Sequence, residues 1–202
     1  MTLNRFQYTL PSRLDAERIY LRPYQAGDGS MYFTASLRNK EHLSTFEFDN
    51  VLCHLKDEAH AELVVRDLHA DWVSRQHFFW GIFENETDVW CGQVYVGPTN
   101  WELPEFSIGY VADVQFEGKG YISEAVKRVL RSLFEDLHAV RIVSDCHENN
   151  VRSWKLLERC GFNREGHLRQ NRKNPDGTFH GDYLYGLLRD DFENGTEIKS
   201  QP

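Results

Sequence analysis

Hydrophobic positions along this chain change period several times, and the changes mark its elements. Residues 18–22 read as a short strand that Pro23 ends. Gly27-Asp28-Gly29-Ser30 is a turn with a helix start, and a helical stretch runs from it to about Arg38. A second helix begins near Lys56, with Asp57 and Glu58 suited to the positive end of its dipole. Its apolar residues Ala61, Val64, Val65, Leu68 and Trp72 recur at helical spacing. Three strand-like runs follow at 78–83, 91–96 and 106–111, joined by 84–89 and by Gly97-Pro98-Thr99-Asn100. After Gly118-Lys119-Gly120 the period becomes helical again. Ile122, Ala125, Val126, Val129, Leu130, Leu133 and Phe134 form one stripe, which predicts a helix lying on a sheet with Glu124, Lys127, Arg128 and Arg131 facing water. A strand at 140–146, a helix over 150–160 and two strands at 163–168 and 182–188 complete the pattern, with Asn174-Pro175-Asp176-Gly177 as turn chemistry before the last.

The order is β-α-α-β-β-β-α-β-α-β-β. Two β-α-β crossovers beside an antiparallel meander predict an α/β (α+β) fold, with one mixed central sheet and helices on both its faces. The chain is expected to divide into an arm over residues 1–17, one domain over 18–192 and a flexible tail over 193–202.

Composition narrows the partners. With 23 basic against 31 acidic side chains the net charge is −8, which argues against nucleic acid and favours a cationic partner. No apolar run approaches the ~20 residues of a membrane span, and the N-terminal residues lack the charged-then-apolar pattern of a signal peptide. The cysteines Cys53, Cys91, Cys146 and Cys160 include no Cys-x-x-Cys pair and suit free thiols in a reducing cytoplasm. His54, His60 and His69 lack metal-binding spacing, so no metal is expected.

The turn at Gly118 is the feature with chemistry in it. A glycine turn lets backbone N–H groups approach an anion, and the helix start adds about half a positive charge. A Walker A loop fails here, because Lys119 is followed by Gly120 and no glycine lies five residues before Gly118. A dinucleotide G-x-G-x-x-G fails too, because its last position is Ser123. Any phosphate-bearing ligand must be of another kind.

Here the chain resembles a known family. Ile108-Gly109-Tyr110-Val111, followed by Glu117-Gly118-Lys119-Gly120-Tyr121-Ile122-Ser123-Glu124-Ala125, is similar to the coenzyme A segment of the GNAT N-acetyltransferases, RimJ/RimL branch. Asn150-Val151-Arg152-Ser153 and Leu157-Glu158-Arg159-Cys160-Gly161-Phe162 resemble that branch's Asn-x-x-Ser…Gly-Phe helix, and Glu17-Arg18-Ile19-Tyr20-Leu21-Arg22-Pro23 its first strand. The resemblance implies acetyl-CoA held where two parallel strands splay apart, with its pyrophosphate on the 118–123 turn. The implied cofactor contacts are Tyr110, Val111, Glu117, Gly118, Lys119, Gly120, Tyr121, Ile122, Ser123, Asn150 and Ser153. Two departures stand out. Glu117 puts a carboxylate beside the pyrophosphate, so it must turn aside. Leu157 replaces the tyrosine that many relatives use as general acid, which leaves the branch's serine, Ser153.

Amide formation needs a neutral amine, a stabilised oxyanion and a departing thiolate. Ser153, in the first turn of a helix capped by Asn150, can assist the thiolate. Glu105, which shares a strand face with Ser107, ranks first as base, with His147 next. The acceptor is expected to be a primary amine, either a protein N-terminal α-amine or a small cationic amine. Specificity should lie in residues 24–75 and 164–182, and homodimerisation stays open. A non-enzymatic acyl-CoA-binding module is the alternative.

Overall fold

The computed structural model describes residues 5–198. In chain order its elements are β1 (Leu14–Asp15), β2 (Ile19–Pro23), α1 (Gly29–Leu43), α2 (Glu58–Ser74), β3 (Phe78–Glu84), β4 (Trp90–Asn100), β5 (Glu105–Ala112), α3 (Tyr121–Glu135), β6 (Arg141–His147), α4 (Val151–Arg159), β7 (Asn163–Lys173), β8 (Phe179–Leu188) and α5 (Arg189–Ile198). The strands form a single eight-stranded mixed sheet in the order β1-β2-β3-β4-β5-β6-β8-β7.

Strand alternation sends side chains to two separate cores. Phe78, Trp80 and Ile82 of β3, with Val94 and Val96 of β4, pack with Ala125, Val126, Val129, Leu130 and Leu133 of α3. Phe83, Trp90 and Val111 pack instead with Tyr32 and Ala35 of α1 and Ala61 and Val65 of α2. The predicted stripe of α3 is therefore its buried face. Glu124 departs from the expected solvent face. Its carboxylate accepts from the Arg18 backbone N–H (2.7 Å) and from Arg18 Nε (2.9 Å), tying α3 to the start of β2.

The parallel step is β5-α3-β6. The second expected crossover, β6-α4-β7, skips a place, because β8 returns to lie between β6 and β7, antiparallel to both. The run Gly97-Pro98-Thr99-Asn100 was expected to be a connector and is instead the end of β4, paired with β5 through a register shift between Pro98 and Asn100. Strand β3 reaches only Val96, so Pro98 lies past that neighbour, where its missing N–H removes no ladder bond with β3. The sheet also begins earlier than residue 18, with Leu14 and Asp15 paired to β2, and residues 193–198 of the expected tail continue α5. Among the described residues no helix is long and apolar enough to cross a membrane.

Candidate active site

Strands β5 and β6 pair over only three rungs, Glu105 with Arg141, Phe106 with Ile142 and Ser107 with Val143. Ser144 Oγ donates to the Ile108 carbonyl at 2.8 Å, a side-chain bond where the next rung would be. Beyond it β5 continues to Ala112 and β6 to His147 without pairing each other. The gap holds a cavity of about 320 Å³, walled by Tyr110, Cys146, Asn150 and Ser153 on one side and by Phe46 and Glu47 of the α1–α2 loop on the other. A short parallel ladder at the first end of both strands thus makes an opening at the other.

Two hydroxyls meet inside it. The Tyr110 hydroxyl donates to the Ser153 carbonyl at 3.0 Å and lies 3.1 Å from Ser153 Oγ. Burial pushes the Tyr110 phenol well above its ordinary value, so it keeps its proton. Ser153 stands in the first turn of α4 because Asn150 Oδ1 accepts from the Ser153 N–H at 3.2 Å, as the sequence predicts. The Cys146 thiol also bonds to Ser153, and burial pushes it up to about 12, so it remains a thiol. Leu157 is fully buried in the core and does not reach the gap.

The glycine turn lies at the far end of β5. Gly118 (φ +76°) and Gly120 (φ +84°) both take left-handed backbone, which explains why glycine stands there. Gly120 caps α3 with no side-chain bond, so the first-turn N–H groups of Tyr121, Ile122 and Ser123 have neither an intrahelical nor a capping acceptor. A Cβ on Gly118 would meet nothing within 4 Å, so that side of the turn is open space. This arrangement fits an anionic group.

Glu117 does turn aside. Its carboxylate pairs with Arg152 of α4 and, at 3.0 Å, with His42 of α1. Lys119 Nζ lies 4.6 Å from the Phe116 ring centre, and the Tyr121 hydroxyl donates to Glu84 at 2.5 Å. Val111 is buried among residues of the α1–α2 core and its carbonyl lies against Gly92 of β4, so it does not line the gap.

A strut that sequence reasoning missed fixes this turn. Asp113, wholly buried, accepts from Arg38 Nε (2.9 Å), from Asn39 Nδ2 (3.2 Å) and from the Gln115 N–H (2.9 Å). Asn39 in turn accepts from the Val114 N–H at 2.8 Å. The last turns of α1 therefore hold the approach to Gly118.

The rest of the cavity wall draws on residues 24–75 and 164–182, through Phe46, Glu47, Arg172, His180 and Asp182. Among the described residues Arg172 of β7 is the one arginine lining it, and it is already paired with Asp145 (2.7 Å) and Asp182 (2.9 Å). The His147 ring stacks on His180 with centres 3.9 Å apart and meets the edge of Phe46 at 5.1 Å. Burial and the neighbouring His180 push His147 down, so it is neutral at pH 7. Glu105 lies at the other end of the ladder, 3.5 Å from Arg141 and accepting from Thr99 Oγ1 at 2.8 Å, and it does not line this cavity.

A family model described as the acetyltransferase (GNAT) domain matches residues 18–163. The chain belongs to the GNAT family. YjcK of Bacillus subtilis (strain 168), named as a probable N-acetyltransferase, is 25% identical over 89% of this chain and 99% of its own. The [ribosomal protein uS5]-alanine N-acetyltransferase of Escherichia coli (strain K12) is 23% identical over 78% of this chain and 81% of its own. Among solved structures, Mycobacterium smegmatis RimJ in complex with CoA-disulfide superposes with a TM-score of 0.80 at 19% identity, covering 94% of this chain and 95% of that one. The N-acetyltransferase reading of the 108–125 and 150–162 segments and the single mixed sheet both agree with this GNAT assignment.

Proposed function

We propose that this chain moves an acetyl group from acetyl-CoA, bound in the β5–β6 gap, to a primary amine entering beside the α1–α2 loop. The observation that carries the reading is the Tyr110–Ser153 hydroxyl pair inside the gap, with Tyr110 on the strand that leads to an uncapped helix start at Gly120. The bound cofactor supplies the activated acetyl group and its thiol. Backbone N–H groups of Tyr121, Ile122 and Ser123 at the 118–123 turn take its pyrophosphate, because they have no acceptor within the fold and no side chain caps them. Past Ser107 the edge of β5 facing β6 has no ladder partner, so the backbone of Tyr110, which shares the side of the Ile108 carbonyl, is available to its amide groups. Ser153 Oγ–H stabilises the leaving sulfur, and Tyr110 holds Ser153 in place. The relative named for uS5-alanine supports a protein N-terminal α-amine as acceptor. The paired state of Arg172 leaves the cavity without a free arginine to attract an acceptor carboxylate, which supports a small cationic amine equally. Acetyl transfer to a panel of N-terminal peptides and polyamines, followed by mass, separates the two.

Two results test the cofactor half. Coenzyme A at ~100 times its Kd should stabilise the fold by about 2.7 kcal/mol, which raises Tm by about 5–10 °C at this chain length. An unchanged melting curve in millimolar coenzyme A removes the assignment. Gly120→Val should fold but lose that shift. Its φ of +84° disfavours a branched side chain by ~1–2 kcal/mol, so the turn must reorganise and misalign its N–H groups. A valine variant that melts higher with coenzyme A by as much as the parent would place the pyrophosphate elsewhere.

A further inference from the structure

The loop between α1 and α2 carries a carboxylate that, among the described residues, forms no ion pair. Its backbone is held by the Glu47 N–H donating to Leu43 (2.7 Å) and the Asn50 N–H donating to Glu47 (2.9 Å). Leu52 and Cys53, both buried, root the same loop in the α1–α2 core. Asn50 works at both ends of its amide, with Oδ1 accepting from the Leu52 N–H (3.1 Å) and Nδ2 donating to Glu47 Oε2 (3.0 Å). One carboxylate oxygen of Glu47 is thereby fixed. Among the described residues no lysine, arginine or histidine lies within ion-pair distance of Glu47.

Its position is central. A second groove of about 190 Å³ shares Phe46, Glu47, Arg172 and His180 with the main cavity, so Glu47 stands at the junction through which an acceptor passes. The other titratable groups there are committed. Asp145 and Asp182 hold Arg172, and Asp182 also accepts from Asn171 at 2.7 Å. His147 Nδ1 accepts from the Asn149 N–H at 3.1 Å, which leaves the proton of the neutral ring on Nε2. The His180 ring lies against Asn174 (2.7 Å) and Asp182 (3.9 Å). Asp49 lines only the outer groove, and Tyr110 stays protonated.

We propose that Glu47 is the general base that takes a proton from the acceptor ammonium. The step rests on the acetyl-transfer reading above. The ammonium gives one proton to Glu47, which passes it to solvent. Nitrogen then bonds to the acetyl carbon, the C–S bond breaks with its electron pair going to sulfur, and Ser153 Oγ–H protonates that sulfur. The second proton lost from nitrogen restores the serine hydroxyl, so amide, thiol and one released proton balance. Burial raises the Glu47 carboxyl, against the Asn50 bond, and Asp145 raises it further against Arg172; each increment makes it a better proton acceptor near neutral pH. Glu47 is also close enough that its charge contributes to holding Tyr110 protonated.

The test is Glu47→Gln with the best amine of the panel. At pH 7 kcat/KM should fall by about 10²–10³, with coenzyme A binding unchanged. The gap should close as pH approaches the amine's own pKa, about 8 for an N-terminal α-amine and about 10 for an alkyl amine, where the acceptor arrives neutral. Glu47→Asp should recover part of the rate. A second arm needs no acceptor. Because the folded carboxyl pKa is raised, the folded state binds more protons than the unfolded one between the two values. The parent should therefore lose Tm relative to Glu47→Gln as pH rises from about 4 to 7. Glu47→Gln as fast as the parent at pH 7, a rate ratio that stays flat with pH, or a pH-independent Tm difference each overturns the role of Glu47. A parent that acetylates no amine while the Tm arm behaves as expected counts against the acetyl-transfer reading instead.

Discussion

Asp113→Ala is expected to lower stability by about 3–5 kcal/mol, the range for removing one partner of a buried ion pair, and Tm by roughly 6–20 °C. Asp113 is completely buried, while the Arg38 side chain keeps 25% of its exposure. Alanine would leave three donors, the Arg38 guanidinium, the Asn39 amide and the Gln115 N–H, facing a small apolar group. Water can reach Arg38 in part, so the loss should fall toward the lower end. Asp113→Asn keeps the shape and one acceptor, and should fall between parent and alanine. The strut also ties α1 to the approach to Gly118, so the stabilisation by coenzyme A should shrink along with the parent stability. Thermal melts of the three proteins with and without coenzyme A check both effects. A loss under about 1 kcal/mol in Asp113→Ala would mean that Arg38 and Asn39 find water as readily as the carboxylate.

The strut shows where the sequence stops being legible. Along the chain, Arg38-Asn39-Lys40-Glu41 reads as the solvated end of a helix, because four polar residues in a row give no apolar stripe. In the fold Asn39 is fully buried, and the turn from Asn39 to Leu43 continues α1 beyond the expected end at Arg38. The burial depends on a partner 74 positions away, which no local pattern reports. Features whose cause is local could be read. The α3 stripe, the left-handed glycines at 118 and 120, and the Asn150 cap three residues before Ser153 follow from period, φ and side-chain reach. The place of β8 between β6 and β7 could not be read, because strand order is set by which edges remain unpaired once the parallel step has formed. Glu47 was hidden for the same reason as Asp113. A lone glutamate between two phenylalanines in a loop carries no motif, and its environment is assembled from β6, β7 and β8. Strand parity alone points to Glu105, and parity specifies a face without specifying which end of the ladder opens.

Ser153→Ala is expected to slow acetyl transfer by roughly 10–100-fold while leaving coenzyme A affinity largely unchanged. Folding should survive the change, because Asn150 caps α4 through the Ser153 backbone N–H, which alanine also provides. The lost group is the hydroxyl 3.1 Å from the Tyr110 oxygen, and with it the donor placed inside the β5–β6 gap. A donor that acts mainly on developing charge lowers kcat and kcat/KM by about the same factor. Oxyanion-hole donors reach about 2.7–4 kcal/mol; a thiolate accepts hydrogen bonds less strongly, which places the expected loss below that range. Neither neighbour can fill in at neutral pH. The Cys146 thiol is held protonated with its pKa pushed up to about 12, and its sulfur is a weak donor. The Tyr110 hydroxyl still has the residue 153 carbonyl as its acceptor at 3.0 Å, so it stays where it is rather than moving toward the sulfur. Tyr110→Phe should therefore cost less than Ser153→Ala, since it removes the support and leaves the donor. Steady-state kinetics of both variants with the best amine acceptor, beside coenzyme A titrations, give the comparison. If Ser153→Ala keeps the parent kcat under conditions where chemistry limits the rate, Ser153 is a helix-turn residue and the proton reaches sulfur by another route.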